Sequence, residues 1–75
     1  MNVNNAEVHV NDYVAFPTQK HNKGLAIQIG QVTELRPDKK ALQVRVVYSP
    51  QTYAGVAHKQ VLAELCIKVD GWNDR

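Results

Sequence analysis

The side chains that carry out most enzyme chemistry are few and scattered in this sequence. The single cysteine, Cys66, lies in an alternating apolar segment, and no sequence feature places a histidine beside it as a general base. His9, His21 and His58 lack the spacing of zinc ligands and have no accompanying cysteine pair. The acidic residues are spread over turns and strand ends, and the glycines form no phosphate-binding loop. We therefore predict a protein that is not an enzyme and that uses no metal or cofactor.

Cationic side chains, in contrast, concentrate in two polar segments. Residues 18–24 carry two lysines and end in a glycine, and residues 36–40 carry three cations around a Pro-Asp turn signal. Cations near exposed aromatic rings suit phosphate contact and base stacking, although loop lysines are also commonly only solvated. The predicted binding residues are Tyr13, Lys20, Lys23, Arg36, Lys39, Lys40, Arg45 and Tyr53.

The segments that position these side chains show the two-residue period of β-strands. The first predicted strand has four apolar residues of one parity, a bend at Asn11-Asp12 and an end at Pro17; these four are Val8, Val10, Val14 and Phe16. Residues 18–24 are then predicted to form a loop. In the next strand the odd positions 25, 27 and 29 are apolar, and the phase slips at Gly30, which is typical of a β-bulge or a sharp bend.

The second half of the chain continues the pattern. Alternation over residues 42–48 is the clearest in the sequence, and it places Arg45 on the outward side. A short strand is predicted over 52–56, and a helical turn within 58–64. The closing strand is predicted from Leu65, Ile67 and Val69, which alternate with Cys66 and Lys68. Five short strands favour an all-β barrel or sandwich; an α+β domain would require 58–65 to form a full helix.

Length and composition allow one small domain. We assign residues 1–75 to it, with a core from about 7 to 70, because 75 residues with 44% apolar content leave no room for a second core. A net charge of +2 is only mildly basic. No signal-peptide pattern and no apolar run near the roughly 20 residues of a membrane span are present. Together with the lone cysteine, this predicts a cytoplasmic protein without membrane contact.

The order of these segments resembles the SH3-like small barrels, and within them the KOW type. The resemblance rests on 11–16 (Asn-Asp-Tyr-Val-Ala-Phe), on Gly24, on 29–32 (Ile-Gly-Gln-Val) and on the alternation over 42–46. The family's opening glycine is replaced by Asn11, which tolerates a left-handed backbone. The sequence is also similar to small uncharacterised bacteriophage proteins. This resemblance implies a single five-stranded SH3-like barrel with a short helical turn before the last strand.

The resemblance also implies a binding role. We predict an interaction module that binds a protein partner, this chain itself being a phage protein that modulates a host complex. The alternative is a KOW-like module that binds nucleic acid in transcription or translation, since the resemblance places the two cationic loops on the same side of the barrel. Exposure of Trp72 and of Val47 would further favour a homo-oligomer.

Overall fold

The computed structural model describes residues 1–20, 24–48 and 58–72, with side chains for 1–17, 27–48 and 58–72. Strands β1 (Asn2–Val3) and β2 (Ala6–Glu7) form a short hairpin, and five longer strands form an antiparallel sheet. These five are β3 (Tyr13–Lys20), β4 (Gly24–Arg36), β5 (Ala41–Tyr48), β6 (His58–Leu62) and β7 (Ile67–Val69), in the order β6-β5-β4-β3-β7. The all-β prediction is confirmed for this part of the chain. The strand predicted over 52–56 lies outside the described residues.

The five-stranded sheet is strongly curved. Its two edge strands, β6 and β7, are joined by residues 63–66 alone. Fully extended, that link spans about 17 Å from Leu62 to Ile67, less than the roughly 19 Å between the edges of a flat five-stranded sheet. Lys59 on β6 also places its ammonium 5.7 Å from the ring centroid of Phe16 on β3, although two strands lie between them. The sheet therefore wraps its inner face around the core.

The core contains apolar side chains from the sheet and from the N-terminal hairpin. Its buried members are Val3, Val8, Val14, Phe16, Val32, Leu42, Val44, Ala63 and Cys66. The hairpin turns through Asn4 and Asn5, whose positive φ values of 49° and 70° suit a two-residue turn. At its start the Met1 ammonium donates to Glu7 Oε2 at 2.6 Å, and this bond lowers the pKa of Glu7. The core thus extends to Val3, ahead of the residue 7 at which the sequence interpretation began it.

The bend predicted at Asn11-Asp12 is confirmed. Asn11 has a φ of 81°, a left-handed conformation that asparagine tolerates. The Asp12 carboxylate accepts a 2.8 Å hydrogen bond from the His9 amide and closes the turn. The assignment of Val10 to the buried face is wrong, because this turn interrupts the two-residue period and leaves Val10 exposed.

Pro17 does not end the first long strand, contrary to the sequence prediction. β3 continues to Lys20 and pairs with β4 throughout, with Pro17 opposite Ile27. On its other side β3 pairs with β7 only over residues 13–15. Beyond Ala15 the strand has one partner among the described residues, and an edge position tolerates the missing proline N–H. The predicted 18–24 loop is correspondingly shorter than expected.

β4 presents to the core the parity opposite to its apolar alternation. Phe16 lies opposite Gln28, so burial of the phenyl ring also buries Gln28 and turns Ile27 outward. The Gln28 Oε1 atom accepts a 3.1 Å hydrogen bond from the Lys59 ammonium, which satisfies this buried amide. The predicted irregularity at Gly30 is confirmed, since the β4–β5 register shifts between Ile29 and Gly30.

Two further predictions concern the connections. The Pro-Asp turn is confirmed as a 3-10 turn, Pro37–Lys39, which is followed by Lys40 in the left-handed conformation. The helical turn predicted within 58–64 is largely wrong, because β6 occupies His58–Leu62 in pairing with β5. Only Ala63–Leu65 forms a 3-10 turn before the last strand. The described chain therefore retains the predicted short turn, but displaced and reduced.

Candidate functional site

The convex, outward face of the sheet carries two rows of side chains that run across the strands. Residues directly opposite one another in antiparallel strands point to the same face. One row, which we call the polar row, consists of Val69, Tyr13, Gln31, Arg45 and His58. The adjacent row, which we call the apolar row, consists of Ile67, Ala15, Ile29 and Tyr48. The fold thus places Tyr13 and Arg45 in one row, with Gln31 between them.

Several large apolar side chains on this face, in or next to the apolar row, are exposed to solvent. Ile67 is 67% exposed and Tyr48 46% exposed at the two ends of the row. Ile27 lies two residues before Ile29 on β4, opposite Pro17, and is 53% exposed on the same face. Ala15 and Ile29, which lie between these ends in the row, are half-buried. The row is therefore an apolar strip whose exposure is greatest at its two ends and at Ile27.

Aromatic rings meet at the β5 end of this row. The Trp72 ring packs edge-to-face on the Tyr48 ring, with their centroids 5.8 Å apart at an interplanar angle of 64°. Trp72 is half-buried, and its Nε1 lies out of solvent with no acceptor among the described residues. Val47 is half-buried beside this pair and has no partner on β4, because the register shift passes over it. The apolar row therefore ends on an aromatic pair.

The polar row is held by amide side chains. Arg45 Nη2 donates to Gln31 Oε1 at 3.2 Å, and Gln31 Nε2 donates to the Asn11 carbonyl oxygen at 3.4 Å. On the neighbouring strands Gln43 Nε2 donates to Gln60 Oε1 at 3.1 Å. These bonds hold the Arg45 guanidinium on the outward face, where one residue pair, Gly30 and Val46, separates it from the apolar row.

The cationic segments predicted to border one surface lie at opposite ends of β4. Lys20 pairs with Gly24 where β4 begins, whereas the 36–40 turn follows its last residue. Lys23 and Tyr53 lie outside the described residues. The described residues therefore give no support to a single surface bordered by both cationic loops.

Within the 36–40 turn the cations differ in their surroundings. Arg36 Nε lies 3.3 Å from Glu34 Oε2, and Nη2 donates to the Glu34 Oε1 atom at 3.4 Å, so that a carboxylate offsets its charge. Lys39 and Lys40 are exposed, and no carboxylate of the described residues forms an ion pair with either. The cations of this turn that remain accessible to a ligand are the two lysines.

A separate charged cluster fastens the N-terminal segment to β7. Lys68 Nζ donates to the Glu7 carbonyl oxygen at 3.0 Å and lies 3.7 Å from Asp12 Oδ2. His9 is exposed between two carboxylates, 3.7 Å from Glu7 Oε2 and 3.8 Å from Asp12 Oδ2. Such solvent-exposed pairs contribute little individually, and their arrangement indicates a structural role.

Cys66 has the properties of a core residue. It is fully buried, its thiol donates to the Leu62 carbonyl oxygen at 3.4 Å, and burial raises the pKa of the thiol to about 11. The predicted facing of the last strand is reversed here: Cys66 points inward while Leu65 and Ile67 are exposed. Across the described ranges, no three His, Cys, Asp or Glu side chains are arranged to hold a metal ion.

This burial predicts slow thiol chemistry. At pH 8 we expect Cys66 to react with an aromatic disulfide reagent at least about 100-fold more slowly in the native protein than in guanidinium chloride, because the thiolate is the reactive form. The pKa of the thiol is higher in the folded than in the unfolded state, so the unfolded chain loses its proton first. Stability should therefore fall as the pH rises from about 9 towards 11. Equal rates in both solvents would contradict the burial.

The sequence reasoning missed the apolar row because it treated alternation as a sign of inward facing. The available signal was Gly30: a glycine that must pack closely against neighbours assigns the even positions of β4 to the core and the odd positions, including Ile27 and Ile29, to the surface.

Comparisons with known proteins found no matching family model, no similar curated protein and no similar solved structure. Among the described residues no helix has the length and apolar character to cross a membrane. Geometry alone therefore supports the functional assignment.

Proposed function

We propose that this chain is an SH3-like barrel that acts as a non-catalytic protein-interaction module and docks its partner on the apolar row. The strand order, the curvature of the sheet and the 3-10 turn before β7 support the barrel assignment. The observation that carries the function is the apolar row itself, which crosses four strands and exposes Ile67 and Tyr48 at its two ends.

The energetics favour burial of this surface by a partner. Full removal of an isoleucine side chain from water is worth about 1.5–3 kcal/mol. Ile67 is 67% and Ile27 53% exposed, so burial of what remains exposed contributes about 2–4 kcal/mol, compared with about 8 kcal/mol for a micromolar affinity. The aromatic pair Tyr48 and Trp72 adds the residue types that dominate binding energy in interfaces. Arg45 at the margin supplies a polar rim.

A capture experiment tests this proposal. We expect immobilised wild-type protein to retain a protein from nuclease-treated bacterial lysate, and the Ile67→Asp variant to lose at least 90% of it, because a carboxylate within the contact would be buried without a partner. The matched control is Val10→Asp, which places the same charge at an exposed apolar residue that belongs to neither row. It should retain the captured protein.

Two outcomes would contradict the proposal, and a third would identify the partner as a second copy of this chain. Retention that is equal for wild type and Ile67→Asp would remove the apolar row from the interface. The absence of any specifically retained protein would contradict a protein partner. If the captured protein is a second copy of this chain, sedimentation of the purified protein should show concentration-dependent dimers that Ile67→Asp abolishes, and the module would then be a homo-oligomer.

The polar row favours nucleic acid as the second candidate. Tyr13, Arg45 and His58 combine stacking and phosphate-binding groups in one line, and the row contains no carboxylate. In this case affinity for labelled single-stranded RNA or DNA should fall steeply between low and physiological salt. Arg45→Gln should weaken that binding. A lack of salt-sensitive binding at micromolar protein would exclude this candidate.

A further inference from the structure

A groove of about 660 Å³ opens at the end of the domain where three segments meet. Its walls are the N-terminal hairpin, the 36–40 turn and the junction between β6 and the 3-10 turn that precedes β7. This volume lies in the range of sites that hold drug-sized ligands. None of its lining residues belongs to the apolar row or to the polar row, so it is independent of the proposed docking surface.

Hydrogen bonds hold the three walls together. Asn4 Nδ2 donates to the carbonyl oxygens of Glu64 at 3.1 Å and Cys66 at 2.6 Å, which ties the hairpin to the junction. The Ala63 amide donates to the Lys40 carbonyl oxygen at 2.8 Å, which ties the junction to the turn. The groove is therefore a fixed concavity, and binding of a ligand does not require the loss of conformational entropy that ordering its walls would cost.

The lining combines apolar surface with positive charge. The lining includes the exposed Leu62, Pro37, and two lysines, Lys39 and Lys40, that form no ion pair with a described residue. Lys40 adopts φ 51° and ψ 46°, a left-handed conformation that is unfavourable for a side chain with Cβ and that asparagine or glycine adopts more readily. Glu64 is the single carboxylate among the lining residues. The groove thus complements a negative charge next to an aliphatic group.

We propose that this groove binds an acidic-aliphatic peptide segment of a partner protein, with a ligand carboxylate at Lys39 and Lys40 and an aliphatic side chain on Leu62 and Pro37. A peptide fits the groove because it can place a carboxylate at the two lysines and an aliphatic side chain on Leu62 and Pro37 at the same time. The peptide's negative charges and its aliphatic side chains are both required, since either the cationic rim or the apolar floor alone would bind weakly.

Backbone amide spectra of the full-length ¹⁵N-labelled protein test this with three probes. Titration with the tetrapeptide acetyl-Asp-Leu-Asp-Leu-amide should shift amides of residues 2–4, 38–40 and 62–64 and should saturate. The asparagine analogue, which lacks the charges, and the Asp-Gly analogue, which lacks the aliphatic groups, should each bind at least about fivefold more weakly. Equal shifts with all three peptides, or no shifts in the groove, would overturn the proposal.

Variants locate the site. Lys39→Gln combined with Lys40→Gly should weaken the tetrapeptide at least about fivefold without loss of fold, because both side chains are exposed and glycine suits the left-handed position. Lys39→Arg with Lys40→Arg keeps the charge and should keep binding. Glu64→Gln removes the opposing carboxylate and should strengthen binding. Unchanged affinity in the neutral double variant would place the peptide elsewhere.

Discussion

The Val3→Asp variant is expected to lose most or all of its folded population. Val3 is 1% exposed in the core although it lies in a two-residue strand. The substitution removes about 1.5–3 kcal/mol of apolar burial and places a carboxylate where it has no partner, which costs several kcal/mol more. A domain of this length has a free energy of unfolding of roughly 4–11 kcal/mol in total. Circular dichroism and urea denaturation would measure the loss.

The matched control is Val10→Asp. Val10 is the same residue type seven positions along the chain, but it is 46% exposed. Its substitution should change the free energy of unfolding by no more than about 0.5 kcal/mol. The hydrophobic pattern of the sequence predicts the opposite ranking, because it places Val10 in the core and begins the core after Val3. Equal destabilisation by the two variants would contradict the packing of the N-terminal hairpin.

The Gly30→Ala variant is expected to be destabilised by about 1–3 kcal/mol through overpacking. A Cβ atom at Gly30 would lie 2.9 Å from Val44 Cβ and 3.1 Å from Phe16 Cε1, closer than carbon atoms pack. Both neighbours are buried, so neither can move aside without disturbing the core. Elsewhere in a strand the same change would be expected to stabilise, since alanine has the smaller backbone entropy cost. The midpoint of urea denaturation gives the sign.

Gly71→Ala separates steric crowding from backbone strain. Gly71 has a φ of 79°, but a Cβ atom there would meet nothing within 4 Å. Its substitution should cost about 1 kcal/mol from the left-handed conformation alone. If Gly30→Ala is as stable as wild type, Gly30 does not lie as close to Val44 on β5 and Phe16 on β3 as described.

The sequence was sufficient to predict an all-β domain, the turn at Pro37, the bend at Asn11 and the irregularity at Gly30. Each of these depends on local backbone preference, which a residue type carries with it. The facing of β4 and of the last strand was predicted wrongly, because Ile27 and Ile67 carry the same pattern whether their face meets a core or solvent. Facing is decided by register with Phe16 and Val14, and register is a property of pairing between distant segments.

The candidate site shows the same division. Tyr13 and Arg45 were identified from their types, and the fold places them in one row. The groove was not predictable, because its three walls come from segments near residues 3, 39 and 63 that only tertiary structure brings together. Lys39 and Lys40 were identified as cations, but that they border a concavity follows from the bond between Ala63 and Lys40.

The pairing of β3 with β7 also determines when the domain can fold. Tyr13 and Val69 are direct neighbours in the sheet although more than fifty residues separate them in the chain. Closing so long a loop is entropically costly before any contact repays it, so folding should be slow, in the range of milliseconds to seconds typical of β-rich domains. During synthesis, the edge of β3 that pairs with β7 stays unpaired until residues 67–69 leave the ribosome. Until then, this edge is open to association with other unpaired strands.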